Sequence, residues 1–167
     1  MEREIKFRGK RTDNNDFVHG YYVKDVNDRH YIYPCDYSKH QNAQDYLVKA
    51  FEIKPETLGQ FVGLKDKNDV DIYEKDIVKV HYFKLALGEN LGVYEDEETL
   101  IGVINFDELS ISLENIIGDK WCEYTCYSNG EGSCKLMHLH DVYEGSCDAE
   151  IGIEVIGNIF DNPDLIK

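Results

Sequence analysis

An all-β fold, mainly antiparallel and with few or no long helices, is predicted by three features of this chain. Residues that fit a pleated sheet dominate: 12 Val, 15 Ile and 20 aromatics (12 Tyr, 7 Phe and 1 Trp) stand against 4 Ala, so the best helix former is scarce. Apolar residues come in short runs with alternating parity rather than at helical spacing. Between those runs lie clusters of Asn, Asp and Gly, which build turns because they tolerate left-handed backbone. A length of 167 residues, 42% hydrophobic, allows one compact domain or two small ones with a real core.

Ile5 and Phe7 share one parity and open a first strand. The polar run Thr12-Asp13-Asn14-Asn15-Asp16 turns the chain into Phe17-Val18-His19-Gly20-Tyr21-Tyr22-Val23, giving a hairpin. Tyr31-Ile32-Tyr33 makes a third strand that stops at Pro34, which cannot donate to a ladder. Asp36 to Asp45 is polar and aperiodic, a loop. Leu47 to Ile53 reads as a strand, with a short helix as the alternative, and Pro55 ends it. Asp66 to Asp69 is a tight turn between Val62/Leu64 and Val70/Ile72. Glu74-Lys75-Asp76 turns again into Ile77-Val78-Lys79-Val80, and Ile101-Gly102-Val103-Ile104-Asn105-Phe106 supplies a partner, the opening of a small SH3-like barrel. Glu89 to Glu98, with its run Glu95-Asp96-Glu97-Glu98, reads as a solvated hairpin loop, with a metal-binding acidic patch as the alternative. Ile111, Leu113, Ile116 and Ile117 follow, then a turn at Gly118-Asp119-Lys120. Ile151 to Phe160 alternates as a closing strand that Asp161-Asn162-Pro163-Asp164 ends. The expected organisation is an N-terminal β region over residues 1–54 and an SH3-like barrel region over 55–167, with loop insertions at 85–99 and 121–147.

The 18 Lys+Arg and 33 Asp+Glu give a formal charge of −15. Such a surface repels a phosphate backbone, so no direct binding to nucleic acid is expected. Lys6, Arg8, Lys10 and Arg11 form the basic cluster of the chain, read here as strand-end solubility. The first residues alternate charge with single apolar positions unlike a signal peptide, and no run approaches the roughly 18 apolar residues of a membrane helix. The expectation is a soluble protein of the cytoplasm with no membrane partner, whose five cysteines are reduced thiols or metal ligands rather than a disulfide framework.

Four blocks, in order, resemble the YopX family: Arg3-Glu4-Ile5-Lys6-Phe7-Arg8; Pro55 to Asn68; Ile72-Tyr73-Glu74-Lys75-Asp76-Ile77-Val78; and Glu154 to Pro163. The resemblance implies a protein encoded by a bacteriophage or prophage, acting in a bacterial host cell, all-β with an SH3-like part, self-associating, and with no assigned activity. Gly9-Lys10 stands where the family commonly has Ala-Trp, and Asp69 and Lys75 stand where it usually has glycine. Trp121 to Cys147 lies outside the shared blocks.

Candidate sites were weighed on their chemistry. Asp66, Asp69, Asp71, Glu74 and Asp76 crowd eleven positions, but an EF-hand loop counted from Asp66 needs Gly and Glu where Asp71 and Ile77 stand. Gly59, Gly63 and Gly157 make no phosphate-binding fingerprint. Cys122, Cys126, Cys134, His138, His140 and Cys147 offer thiolate and imidazole donors for zinc, but Cys-x3-Cys and His-x-His are not a tight zinc knuckle. Ser128, Ser133 and Ser146 lack a nucleophile-elbow context, and His19, His30, His40 and His81 are scattered. The expectation is therefore no catalytic, cofactor or metal residue and no cofactor. The product of the fold is a binding surface on an oligomeric accessory or scaffold protein that self-associates and takes a protein partner. The alternatives are an acidic regulator that covers the basic surface of a host or phage DNA-binding protein, and a zinc-dependent module built on the Cys/His segment.

Overall fold

A computed structural model describes residues 4–34, 50–87, 93–107, 110–118, 134–135 and 152–167. They carry strands β1 (Phe7–Lys10), β2 (Phe17–Lys24), β3 (His30–Pro34), β4 (Phe51–Glu52), β5 (Gly59–Lys65), β6 (Asp71–Tyr73), β7 (Asp76–Leu87), β8 (Val93–Asp107), β9 (Ser110–Gly118), β10 (Cys134–Lys135) and β11 (Gly152–Asn158). Helical structure among the described residues is limited to two 3-10 turns, Pro55–Thr57 and Pro163–Ile166. The fold is all-β and antiparallel, as the composition predicts. The chain divides into two compact units, Met1–Gly63 and Leu64–Lys167.

In the first unit the strands follow the order β4-β3-β2-β1-β5. The turn between β1 and β2 forms where the Asn/Asp cluster predicts it: the Asp16 N–H donates to Asn14 Oδ1 at 3.0 Å, and Asn15 takes φ 63°, a region Asn enters at low cost. Alternation along β2 and β3 puts Val18 and Ile32 on one side, where they join Ile53 as a buried cluster ringed by Phe7, Tyr22, Phe51 and Leu58. Gly20 is fixed by proximity. A Cβ there would lie 1.9 Å from the Tyr33 carbonyl oxygen, so any other residue forces β2 and β3 apart. Thr57, 4% exposed, ties the 3-10 turn to β1: its hydroxyl accepts the Lys10 N–H at 2.8 Å and donates to the Lys54 carbonyl at 2.7 Å. Of the strand expected over Leu47–Ile53, the structure gives Phe51–Glu52 and a bridge from Ile53 to Arg11; residues 47–49 lie outside the described residues.

The second unit holds a five-stranded sheet in the order β10-β9-β8-β7-β11. Ile77, Val78, Val80, Leu100, Val103, Ile104, Ile111 and Leu113 are buried in it. The expected SH3-like barrel does not close among the described residues, because β10 and β11 stand at opposite ends of an open sheet. Strand length explains the difference. β7 and β8 have 12 and 15 residues, well beyond the 5–6 typical of a strand, and pair continuously from Ile77↔Val103 to Leu87↔Val93 as a long ribbon. This corrects the loop expected over 85–99: Glu95 to Glu98 lie within β8, opposite Leu85 to Tyr82, and 88–92 lie outside the described residues. A ladder is made by backbone groups, so an acidic run next to a well-paired strand continues it. The register shifts once between Ile101 and Val103, where β9 has one residue more than β8, and once between Val155 and Gly157, where β11 has one more than β7, bulges that bend β9 and β11.

The charge divides with the chain. Residues 1–63 hold ten Lys+Arg and ten Asp+Glu, whereas residues 64–167 hold eight and 23, so the second unit carries the whole −15.

Candidate functional site

The side of β2 that faces away from the Val18 cluster presents Phe17, His19, Tyr21 and Val23. Register then brings neighbours alongside: Tyr21 opposes Tyr33, Val23 opposes Tyr31, and on the other flank Arg8 opposes His19 and Lys10 opposes Phe17. Directly opposed residues of an antiparallel pair share a face. Tyr21, Val23 and Tyr33 are 49%, 45% and 39% exposed. These three large side chains, adjacent across two strands, make an apolar patch on a face lined by aromatics and cations. A contiguous patch of this kind marks an interaction surface more often than scattered exposed residues do.

The basic cluster of β1 is built into the same sheet. The Lys6 ammonium lies 4.4 Å from the Phe61 ring centre, and Arg8 and Lys10 lie 4.9 and 5.2 Å from that of Phe17. Arg11 stacks 3.9 Å over Phe51 and pairs with Asp13, whose carboxyl that hydrogen bond holds below its ordinary value; Arg29 lies 5.7 Å from Tyr31. Each such contact contributes about 0.5–2 kcal/mol according to how dry it is. Arg8, at 8% exposure, is a buried structural cation. Solubility alone does not describe these side chains: they cover aromatic rings on neighbouring strands. Sequence reading misses this for Lys6, Arg8, Lys10 and Arg11, whose rings belong to other strands, whereas Arg29 covers a ring two residues on.

The acidic cluster of 66–76 is separated by the fold into turn locks. Asp66 Oδ1 accepts the N–H groups of Asn68 (2.7 Å) and Val70 (2.9 Å), and Oδ2 accepts that of Val155 on β11 at 3.1 Å. Burial pushes its pKa up, but the bonds from Val70, Val155 and Asn68 outweigh burial and hold it below the ordinary 3.8. Lys67 completes the join: its N–H donates to the Ile153 carbonyl at 2.9 Å and its ammonium meets Glu154 at 2.7 Å. Asp69 is exposed and pairs with Lys65, while Asp76 is buried and accepts the Tyr73 N–H at 2.8 Å. Among the described residues no group of three or more His, Cys, Asp or Glu side chains converges as a metal site.

Of the Cys/His candidates, Cys134 is described through its backbone, on β10; Cys122, Cys126, His138, His140 and Cys147 lie outside the described residues, as do Ser128, Ser133, Ser146 and His40. His19 is exposed, His30 Nδ1 shares a 2.8 Å hydrogen bond with the Tyr22 hydroxyl, and His81 faces Thr99 at 3.3 Å. These imidazoles do not gather. Asp69 and Lys75 both have positive φ, 65° and 69°.

The family described as YopX protein matches residues 6–167. This chain belongs to the YopX family. No curated protein and no solved structure matches it. The two positions where YopX proteins usually carry glycine are thus left-handed here without it. Asp tolerates that conformation, whereas Lys75 holds it at a cost of about 1–2 kcal/mol. The strain persists because neighbouring segments fix the residue: the Lys75 N–H donates to the Ile104 carbonyl at 2.8 Å and its carbonyl accepts the Ile159 N–H at 3.1 Å. At Gly9, where YopX proteins commonly have Ala, an added Cβ would meet Ile53 Cδ1 at 2.6 Å, so this member fills that space from Ile53 instead. Among the described residues, no helix is long and apolar enough to cross a membrane.

Proposed function

We propose that this YopX protein is a phage-encoded accessory protein of the bacterial host cytoplasm, working as an oligomeric binding or scaffold module without catalysis. The observation that carries the reading is the exposed Tyr21/Val23/Tyr33 patch on a sheet whose other side is already packed. Tyrosine suits such a surface because its ring buries apolar area while the hydroxyl still finds a partner. Direct binding to duplex DNA is not part of the proposal, since a net −15 slows encounter with any polyanion. Light scattering on the full chain at 300 mM salt tests it: a single multiple of the chain mass is expected, and a monomer at every concentration overturns it.

A second reading has its own observation. The second unit concentrates the whole −15, which suits an acidic regulator that occupies the basic surface of a host or phage DNA-binding protein. Charges screened over about 10 Å at 0.1 M salt would carry that contact, so its partner is shed as salt rises, whereas a packed aromatic interface persists.

A further inference from the structure

We propose that the Asp66–Lys67 turn is an edge stop: it occupies the outer side of β11 as a one-residue stand-in for a parallel strand, and so prevents an extended segment of another chain from adding to the five-stranded sheet. Whatever the protein binds through its Tyr21 face, this edge is one that it closes.

β11 ends its sheet, with Gly152–Asn158 paired to β7 on one side. On the opposite side the Lys67 N–H donates to the Ile153 carbonyl at 2.9 Å, and the Val155 N–H donates to Asp66 Oδ2 at 3.1 Å. In a parallel ladder one residue of the incoming strand makes both bonds: its N–H reaches the carbonyl before the residue it faces, and its own carbonyl receives the N–H after it. Lys67 therefore stands where that residue would stand, opposite Glu154, and the Asp66 carboxylate supplies the acceptor. The side chains keep the same register, since Lys67 Nζ meets Glu154 at 2.7 Å.

The stand-in offers no continuation. The chain reverses at once: the Asp66 N–H donates to the Val70 carbonyl at 2.8 Å, the Asp69 N–H donates to the Asp66 carbonyl at 3.0 Å, and Asp69 takes φ 65°. Asp66 Oδ1 is held by the Asn68 and Val70 N–H groups, so the turn itself aims Oδ2 at β11. The rung lies at the surface, because the Lys67 and Glu154 side chains are 44% and 34% exposed. A Cβ on Gly152 would lie 3.6 Å from Lys67 Cδ, so the lysine stem runs along the strand. Charged side chains laid over a strand edge, lysine above all, are a means by which sheets avoid pairing with other chains. An incoming strand has to displace two hydrogen bonds and an ion pair before it gains its first rung here.

The test uses the full chain at pH 7 and 150 mM salt, with amide exchange to read the rung and thioflavin T fluorescence to read strand addition. Asp66→Ala removes the acceptor. Asp66→Asn is the gentler variant, because an amide oxygen kept on the two turn N–H groups turns an NH2 group towards Val155. Ile104→Ala empties a buried position of β8 and lowers stability without touching the edge. In both Asp66 variants the Val155 amide is expected to lose protection and thioflavin-positive assemblies to grow about tenfold faster than in the wild type, with Val155 protected again inside them. Ile104→Ala, compared at an equal folded fraction, is expected to behave like the wild type. Equal growth in Ile104→Ala assigns the assemblies to lost stability and overturns the proposal. So does a Val155 amide that opens while no assembly forms, one that stays open inside the assemblies, or one that keeps its protection in both variants. Should Asp66→Ala not fold, Asp66→Asn decides by the same readings.

Discussion

The two units of this chain settle their strands by the same means in different proportion: Asp25 in the first also accepts the N–H groups of Asn27 (2.8 Å) and Arg29 (2.9 Å), and Lys75 in the second lies 5.9 Å from the Phe160 ring centre. In the first, cations lie over rings, Gly20 allows β2 and β3 to close within van der Waals reach, and acidic and basic residues balance. In the second, carboxylates accept backbone N–H groups at turns, and the excess of acid over base is 15. The contrast teaches that a net charge summed over a chain can belong wholly to one half of it and say nothing of the other. A single figure of −15 argues against any contact with a negatively charged partner, although residues 1–63 contribute nothing to it.

The sharpest way to break the first unit is Gly20→Ala. With a Cβ 1.9 Å from the Tyr33 carbonyl oxygen, the expected loss is about 4 kcal/mol, read by urea denaturation, with amide exchange accelerating in β2 and β3 before β7 and β8. The matching cut in the second unit is Asp66→Ala, which strands three N–H donors and is expected to cost about 2–4 kcal/mol, with Val155 the amide most exposed to exchange.

Acid should loosen the Asp66 turn of the second unit, as it loosens the Asp25 turn of the first. Because the folded pKa of Asp66 is lowered, its contribution is present above the ordinary 3.8 and lost as pH falls through the folded value. Protection of the Val155 amide should therefore collapse in that range. Asp66→Asn, which has no charge to lose, should abolish the dependence. The readout is local because acid also relieves the repulsion among the other carboxylates of that unit. Thr57→Ala in the first unit, which removes the acceptor of the Lys10 N–H, is expected to cost about 1–2 kcal/mol with no such pH dependence.

Smaller effects sharpen the comparison. Lys75→Gly relieves a left-handed lysine and should stabilise the second unit by about 0.5–1 kcal/mol in a urea titration. Raising salt from 20 to 500 mM should slow amide exchange in β7 and β8 and leave β2 and β3 unchanged, since only the second unit has a net charge to screen.

Local chemistry was legible in the sequence and long-range chemistry was not. The turns at Thr12–Asp16 and Asp66–Asp69 could be read because Asn and Asp bond to backbone two to four residues away. The same logic failed for Glu95 to Glu98, where polarity suggests a loop but pairing with β7 dictates a strand. Closure of a barrel was also over-read, since a short Ile-Val-Lys-Val motif does not reveal that its strand runs on to Leu87. The tie from Asp66 to Val155 spans 89 positions, and no local pattern announces it. The patch itself was half visible: Tyr21, Val23 and Tyr33 could be counted, but their adjacency depends on the Tyr21↔Tyr33 register.

The placement of β11 beside β7 sets a timetable for synthesis. Strand β7 is complete by Leu87, yet the residues that pair with its Asp76–His81 stretch arrive as Gly152–Asn158. At about 5–20 residues per second the ribosome needs roughly 3–13 s to make the intervening stretch. Throughout that interval one side of Ile77, Val78 and Val80 has no ladder partner from its own chain, so a nascent polypeptide carries a sticky, strand-ready edge. Most of the acidic excess is encoded within that window, residues 88–151, which hold 15 Asp+Glu against two Lys. Like charges on neighbouring nascent chains hold such edges apart, so the acidity of the second unit also serves as a guard against aggregation on the polysome.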